Sequence, residues 1–288
     1  MASSVFSAKE NTIAATFLLS AFGDEIDDDL AKQLDVLAGE GITALELRSA
    51  WGINILDLSG DQLRQVHELL DRYGFQVSAI GSPIGKSPLT APRAFEQDRL
   101  DGVVAAAESL GTRLVRIFSY YVPPEDLDEA RGEVIQRLGL LAERAARAGV
   151  TLLLENERGI YGENPTRCHD VLAAIDSPAL RMAFDPGNFV QAGVRPMKDA
   201  WPLLGNFVAH VHIKDAVFVD GTMRPAGQGD GDIPDLLATL NALDYAGYLT
   251  LEPHLSFSGP AGGYSGEAGM RTAIHALKAL LARVPRLE

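Results

Sequence analysis

Four short apolar runs each end in a residue type that ligates metals: Leu152-Leu153-Leu154-Glu155, Met182-Ala183-Phe184-Asp185, His210-Val211-His212 and Leu249-Thr250-Leu251-Glu252. An ionised carboxylate at the end of such a run is costly to bury unless it meets a partner or a cation. Three carboxylates and a neutral imidazole together carry a charge of −3. One divalent cation offsets most of that charge and keeps coordination positions open. The oxygen-rich set suits Mn²⁺, Mg²⁺ or Co²⁺, with Zn²⁺ also compatible. A single strand-end acid is as well explained as a helix N-cap or a salt-bridge partner. Four in succession favour a metal site made of Glu155, Asp185, His212 and Glu252.

Other polar residues cluster around these ends. His210 and His212 lie two apart and share a strand face. His212 is nearer the strand end and is the expected ligand, with His210 a donor behind it or a packed histidine. Lys214 follows at the strand exit, suited to a substrate's anionic or carbonyl oxygen or to a local ion pair. Glu46 and Arg48 also share a face and are expected to pair with each other, the alternative being substrate contact by Arg48. Arg116 invites the same reading. Lys86 sits in a Pro/Gly loop, solvated or turned to substrate. His254 follows Glu252 and either reaches substrate or faces solvent. Trp51 either walls the site or packs in the core. The run Gly227–Asp232 lacks the Lys-Ser/Thr ending and the preceding strand of a phosphate loop. It reads as a turn-rich segment ending near an N-cap, Asp232. Cys168 has no nearby catalytic partner and reads as structural. Nucleophile-elbow and Cys₄ zinc patterns are absent.

Regular elements must position these residues. Eight Val-, Ile-, Leu- and Phe-rich runs read as strands: Phe17–Phe22, Ala44–Arg48, Val77–Gly81, Leu114–Ser119, Thr151–Glu155, Arg181–Asp185, Val208–Ile213 and Leu249–Glu252. Continuous apolar strands point to a parallel sheet covered on both faces. Helices are expected near 28–40, 60–73, 95–110, 129–148, 166–175, 196–204, 234–243 and 268–283. Val134, Leu138, Leu141 and Ala145 form one helical face. Ser59 and Gln62 form a capping box. Gly41, Gly74, Gly111 and Gly149 stand where left-handed helix ends belong. The pattern predicts an α/β fold, a (β/α)8 TIM barrel, over an open doubly wound sheet. The segments after strands three, seven and eight are long and rich in Gly and Pro. In a barrel they gather at the C-terminal mouth, where chemistry is placed. Gly259, Gly262, Gly263 and Gly266 suggest that the last of them is a mobile cover.

Composition narrows the classes. The chain has 288 residues, 25 Lys+Arg against 39 Asp+Glu, and a net charge of −14. That balance argues against nucleic-acid binding, which needs a basic face. No apolar run reaches the ~18 residues of a membrane span. One cysteine rules out an internal disulfide framework and fits a reducing, cytoplasmic setting. Ile13–Phe22 imitates a signal-peptide core, but a basic leading segment is missing. Residues 1–12 therefore read as a loose N-terminal tail and 13–288 as a single barrel domain, with homo-oligomer formation left open.

Five motifs bring a resemblance: LLLENE (152–157), FDPGN (184–188), HVHIKD (210–215), GQGDGDI (227–233) and LEPH (251–254). With FGDEI at 22–26, they resemble the xylose-isomerase-like TIM-barrel superfamily of sugar isomerases and epimerases, which also includes endonuclease IV and inosose dehydratase. The resemblance implies that Glu155, Asp185, His212 and Glu252 form a single-metal site, and that Glu155 and Glu252 act as an acid/base pair. Two positions depart from the family's ketose epimerases. Asn188 stands where those enzymes usually have histidine, and Tyr161 where they often have glutamate. The expected function is a divalent-metal-dependent isomerase or epimerase of a keto-sugar or sugar phosphate, working through an enediolate. Arg48, Lys86, Asn188, His210, Lys214 and His254 are the expected substrate-binding residues. A lyase acting on an inosose or keto-glycoside is the alternative. An endonuclease IV-like phosphodiesterase and a non-catalytic sugar-binding barrel rank lower.

Overall fold

A computed structural model describes residues 17–255 and 265–284. Eight parallel strands close into a barrel in sequential order. They are β1 Leu18–Phe22, β2 Ala44–Leu47, β3 Gln76–Gly81, β4 Leu114–Ile117, β5 Thr151–Glu155, β6 Leu180–Phe184, β7 Val208–Ile213 and β8 Tyr248–Leu251. Closure comes from the pairing of β1 with both β2 and β8. The expected barrel is the fold observed, and each strand lies within a residue or two of its expected place.

The outer layer consists of α1 Leu30–Gly39, α2 Gly60–Tyr73, α3 Arg93–Ser109, α4 Leu127–Arg147, α5 Pro165–Ile175, α6 Pro186–Gln191, α7 Trp201–Leu204, α8 Ile233–Ala242 and α9 Gly266–Leu281. The buried face of α4 includes Val134, Leu138, Leu141 and Ala145, as its periodicity requires. Ser59 and Gln62 form the reciprocal capping box at the start of α2. Gly41, Gly74, Gly111 and Gly149 all have φ near +70° (69–73°), the left-handed geometry that lets a helix turn back toward a strand.

Three local expectations are corrected. The segment 196–204 is a π-helical turn, Pro196–Ala200, followed by the four residues of α7 rather than one α-helix. Asp232 precedes α8 but has φ 53° and makes no side-chain cap. Its carboxylate instead accepts a long 3.4 Å bond from the Met197 backbone N–H. The helix α6 was not expected at all. The tail at residues 1–12 and Gly259, Gly262 and Gly263 of the proposed cover lie outside the described residues. Among the described residues, no helix is long and apolar enough to cross a membrane.

The capping box should contribute measurably to stability. Ser59→Ala removes a hydroxyl acceptor from an exposed N-terminus, so it should lower the unfolding free energy by about 1 kcal/mol. Urea denaturation checks this, and an unchanged midpoint would contradict it.

Candidate functional site

The four strand-end residues meet at the C-terminal end of β5 to β8. Glu155 is the last residue of β5, Asp185 follows β6, His212 lies on β7 and Glu252 follows β8. All four are buried. One ligand atom from each lies within 4.8 Å of all the others. His212 Nδ1 is 3.2 Å from Glu155 Oε1, 3.6 Å from Glu252 Oε2 and 3.9 Å from Asp185 Oδ2. Two donors each about 2.1 Å from a shared ion stand roughly 3–4 Å apart, so these spacings fit one metal. Asp185 Oδ2 and His212 Nδ1 are buried without a hydrogen-bond partner. A cation between them would satisfy both.

A neighbour holds the outer atom of each residue. Arg116 Nη1 donates to Glu155 Oε2 at 2.8 Å, and Arg48 Nη1 donates to Glu252 Oε1 at 3.0 Å. The Asn188 backbone N–H donates to Asp185 Oδ1 at 2.8 Å. Asp185 is thus both the N-cap of α6 and a candidate ligand, and the two readings of a strand-end acid hold at once. His212 Nε2 donates to Glu46 Oε2 at 3.2 Å. That bond leaves the Nδ1 lone pair for the centre when the ring is neutral, the usual way a carboxylate orients a metal-binding histidine.

Electrostatics follow from this crowding. Burial disfavours charge on Glu155, but His212 and Arg116 outweigh it and hold its carboxyl well below the usual range. Glu252 is lowered against its own burial by Lys214, His254 and His212. Asp185 goes the other way: burial raises its pKa, Lys214 opposes, and the charges of Glu155 and Glu252 reinforce the rise. For His212, burial favours the neutral ring, yet Glu155 and Glu46 raise its pKa well above the ordinary histidine value.

The remaining expected residues fall into place unevenly. His210 is fully buried, with Nε2 2.8 Å from Glu46 Oε2 and 3.0 Å from Thr250 Oγ1, so it packs behind His212. The expected Glu46–Arg48 pair does not form. The register of β2 against β3 shifts between Leu45 and Glu46. Glu46 bonds the two histidines, while Arg48 grips Asp24 through Nε and Nη2 at 2.8 and 2.9 Å. Lys214 is buried 3.3 Å from Glu252 Oε2 and 3.6 Å from Asp185 Oδ2. Gly187 makes this approach possible, because a Cβ there would lie 2.6 Å from Lys214 Cγ. Lys86 is not a solvated loop lysine: it bonds Glu157 at 2.8 Å and lies 4.2 Å from the centre of the Phe118 ring. Asn188 Nδ2 donates to Glu155 Oε1 at 3.1 Å and to the Asn156 carbonyl at 3.0 Å. His254 is a quarter exposed, with Nε2 2.9 Å from Glu25 Oε1. Trp51 is half-buried against the core. Cys168 is buried and donates to the Gly162 carbonyl, and burial pushes its thiol up to about 12.

Sequence reasoning missed several supporting residues. Asp24 and Glu25 directly follow β1 and are buried. Glu25 Oε2 accepts from the His254 backbone N–H and the Ser265 hydroxyl, tying down both ends of the segment after β8. Asn156 exchanges two bonds with the Asp185 backbone and fixes the end of β6 beside β5. The available signal was two acids immediately after a strand, in FGDEI, and an amide beside a ligand, in LLLEN.

Two outcomes test this geometry. Burial and the charges of Glu155 and Glu252 raise the pKa of Asp185, and Glu155 and Glu46 raise that of His212, so Mn²⁺ competes with protons at both groups. Binding should therefore release protons and tighten as pH rises, which calorimetry in buffers of different ionisation enthalpy would reveal; proton-neutral binding would contradict it. Glu46→Ala should weaken Mn²⁺ affinity by about 10–100-fold through loss of ring orientation, and Glu46→Gln by less. Equal affinity in all three proteins would remove Glu46 from the account.

Comparison with known proteins agrees with this architecture. The chain superposes on a D-tagatose 3-epimerase-like protein with TM-score 0.74 and 21% identity, covering 93% of this chain and 98% of that one. For D-psicose 3-epimerase of Clostridium cellulolyticum H10, with D-tagatose, the values are 0.73, 14%, 93% and 99%. For a probable 3-DHS dehydratase of Bacillus anthracis they are 0.71, 15%, 91% and 98%. These identities establish a shared fold. The family model described as xylose isomerase-like TIM barrel matches residues 34–280. The chain is a member of the xylose isomerase-like TIM-barrel family.

Proposed function

We propose that this site performs metal-dependent proton transfer at the carbon beside a sugar carbonyl, interconverting isomers or epimers of a keto-sugar. The observation that carries the reading is the convergence of four buried donor atoms, two of them without hydrogen-bond partners. Glu155, Asp185, His212 and Glu252 would hold one divalent ion of the Mn, Mg or Co type. When bound, such an ion supplies Lewis acidity toward a carbonyl and its neighbouring hydroxyl.

The chain's own groups divide the remaining work. Glu155 and Glu252 reach the centre from β5 and β8, on either side of β6 and β7. One removes the proton from the carbon beside the carbonyl, and the other returns a proton to a different atom or face. Arg116 and Arg48 hold the outer oxygens, so both glutamates stay ionised and aimed. Asn188 cannot exchange a proton at neutral pH. Its amide donates to Glu155 and orients it. The Lys214 ammonium stands beside Glu252, where it can donate to a developing oxyanion. A second reading is elimination of water or an aglycone from the same enediolate. His254, 3.6 Å from Glu252 Oε1, favours it as a donor to a leaving oxygen.

Conversion of a keto-sugar in D₂O should place deuterium at the carbon beside the carbonyl. Glu155→Gln and Glu252→Gln should each reduce turnover on the order of 10²–10⁴-fold, with metal content measured in parallel. Near-normal turnover in both variants with metal bound would reject the two-glutamate mechanism. Release of water to an unsaturated ketone would select the elimination reading.

A further inference from the structure

Glu155 and Glu252 are each held by an arginine, and both arginines lie over one ring. Phe22, the last residue of β1, is fully buried. The Cζ of Arg48, which holds Glu252, is 4.6 Å from the centre of the Phe22 ring. The Cζ of Arg116, which holds Glu155, is 5.3 Å from the same point. The His212 imidazole meets this ring edge to face, with centroids 5.3 Å apart and planes at 79°.

Strand register builds the junction. β1 pairs with β2 so that Phe22 stands beside Glu46, whose carboxylate holds His212. β3 pairs with β4 so that Gly81 stands beside Arg116. A Cβ at Gly81 would lie 2.7 Å from Phe22 Cε1, 3.1 Å from Arg48 Cβ and 3.4 Å from Arg116 Nη2. The glycine therefore opens the space in which the ring and both arginines meet.

A guanidinium donates hydrogen bonds only in its own plane. Its two faces are left bare, which is costly for a cation taken out of water. The negative face of an aromatic ring offsets that cost, and more strongly where water is excluded. Arg116 depends on this most. Its Nε is buried without a hydrogen-bond partner. Its plane is set by the bond to Glu155 and by the rings of Phe22 and Phe118, the latter centred 4.5 Å from Cζ. Phe22 and Phe118 are both fully buried, yet neither belongs to the contiguous apolar core.

We propose that Phe22 is a positioning residue: its ring seats Arg48 and Arg116 together and so sets the aim of Glu252 and Glu155 as a pair. The expected effect on turnover rests on the proton-transfer reading above; the expected effect on the metal centre does not.

The test separates the ring's charge distribution from its shape. Fluorination drains the negative face of a phenyl ring and nearly keeps its size. Position 22 is therefore filled with 4-fluoro-, 3,4,5-trifluoro- or pentafluorophenylalanine, alongside the variant Phe22→Leu, and thermal unfolding checks that each protein stays packed. Mn²⁺ affinity is read by calorimetry, and proton transfer by deuterium uptake into D-fructose or D-tagatose from D₂O. Affinity should fall stepwise with fluorination, by about tenfold in the pentafluoro protein and in Phe22→Leu. Turnover per bound metal should fall with it, on the order of 10²-fold at the end of the series. Equal Mn²⁺ affinity across the folded fluorinated proteins would overturn the proposal, even if Phe22→Leu binds weakly, because Phe22 would then only fill space. A stepwise loss of affinity with no deuterium uptake in the native protein would uphold the seat and overturn the proton-transfer reading instead.

Discussion

Three carboxylates brought out of water beside one imidazole repel one another in surroundings that screen poorly, and an uncompensated buried charge is costly. The upper half of this barrel is organised around that repulsion. Glu155, Asp185 and Glu252 each turn one oxygen toward His212 and give the other to a donor from elsewhere in the chain. The donors come from β4, from the start of α6 and from the end of β2. Glu46, on β2, holds the imidazole from behind. A centre contributed by β5 to β8 is thereby braced from β2 and β4 as well as from its own α6. What the donors cannot satisfy is left as two orphaned atoms, Asp185 Oδ2 and His212 Nδ1. A divalent ion would complete that arrangement chemically.

The same economy governs the loops. Asp24 and Glu25 restrain Arg48 and the segment after β8, and Asp215 gathers the N–H groups of its own glycine-rich loop.

The barrel and its four central residues were legible in the sequence for a simple reason. Each strand is a predominantly apolar run, so a ligand-type residue at its end stands out, and glycines with positive φ mark where helices stop. The bracing residues were not legible, because their roles depend on contacts across the barrel. Glu46 and Arg48 share a strand parity that suggested a pair, but the register shift at Leu45/Glu46 and the pull of Asp24 send them to different partners. The short α6 was hidden because Pro186–Gln191 is too brief to show a helical period, although Asp185 and Pro186 form an ordinary N-terminus. Asp232 looked like a cap by residue type, and only its left-handed backbone shows otherwise.

The central claim is that one divalent ion sits among Glu155, Asp185, His212 and Glu252. Anomalous diffraction from crystals soaked in Mn²⁺ tests it most directly. The account predicts a single strong peak bonded to His212 Nδ1 and to an oxygen from each of the three carboxylates, with His212 Nε2 still on Glu46. A peak at the other buried histidine–carboxylate cluster, Glu46–His210–His212, with the four-residue centre empty, would contradict it.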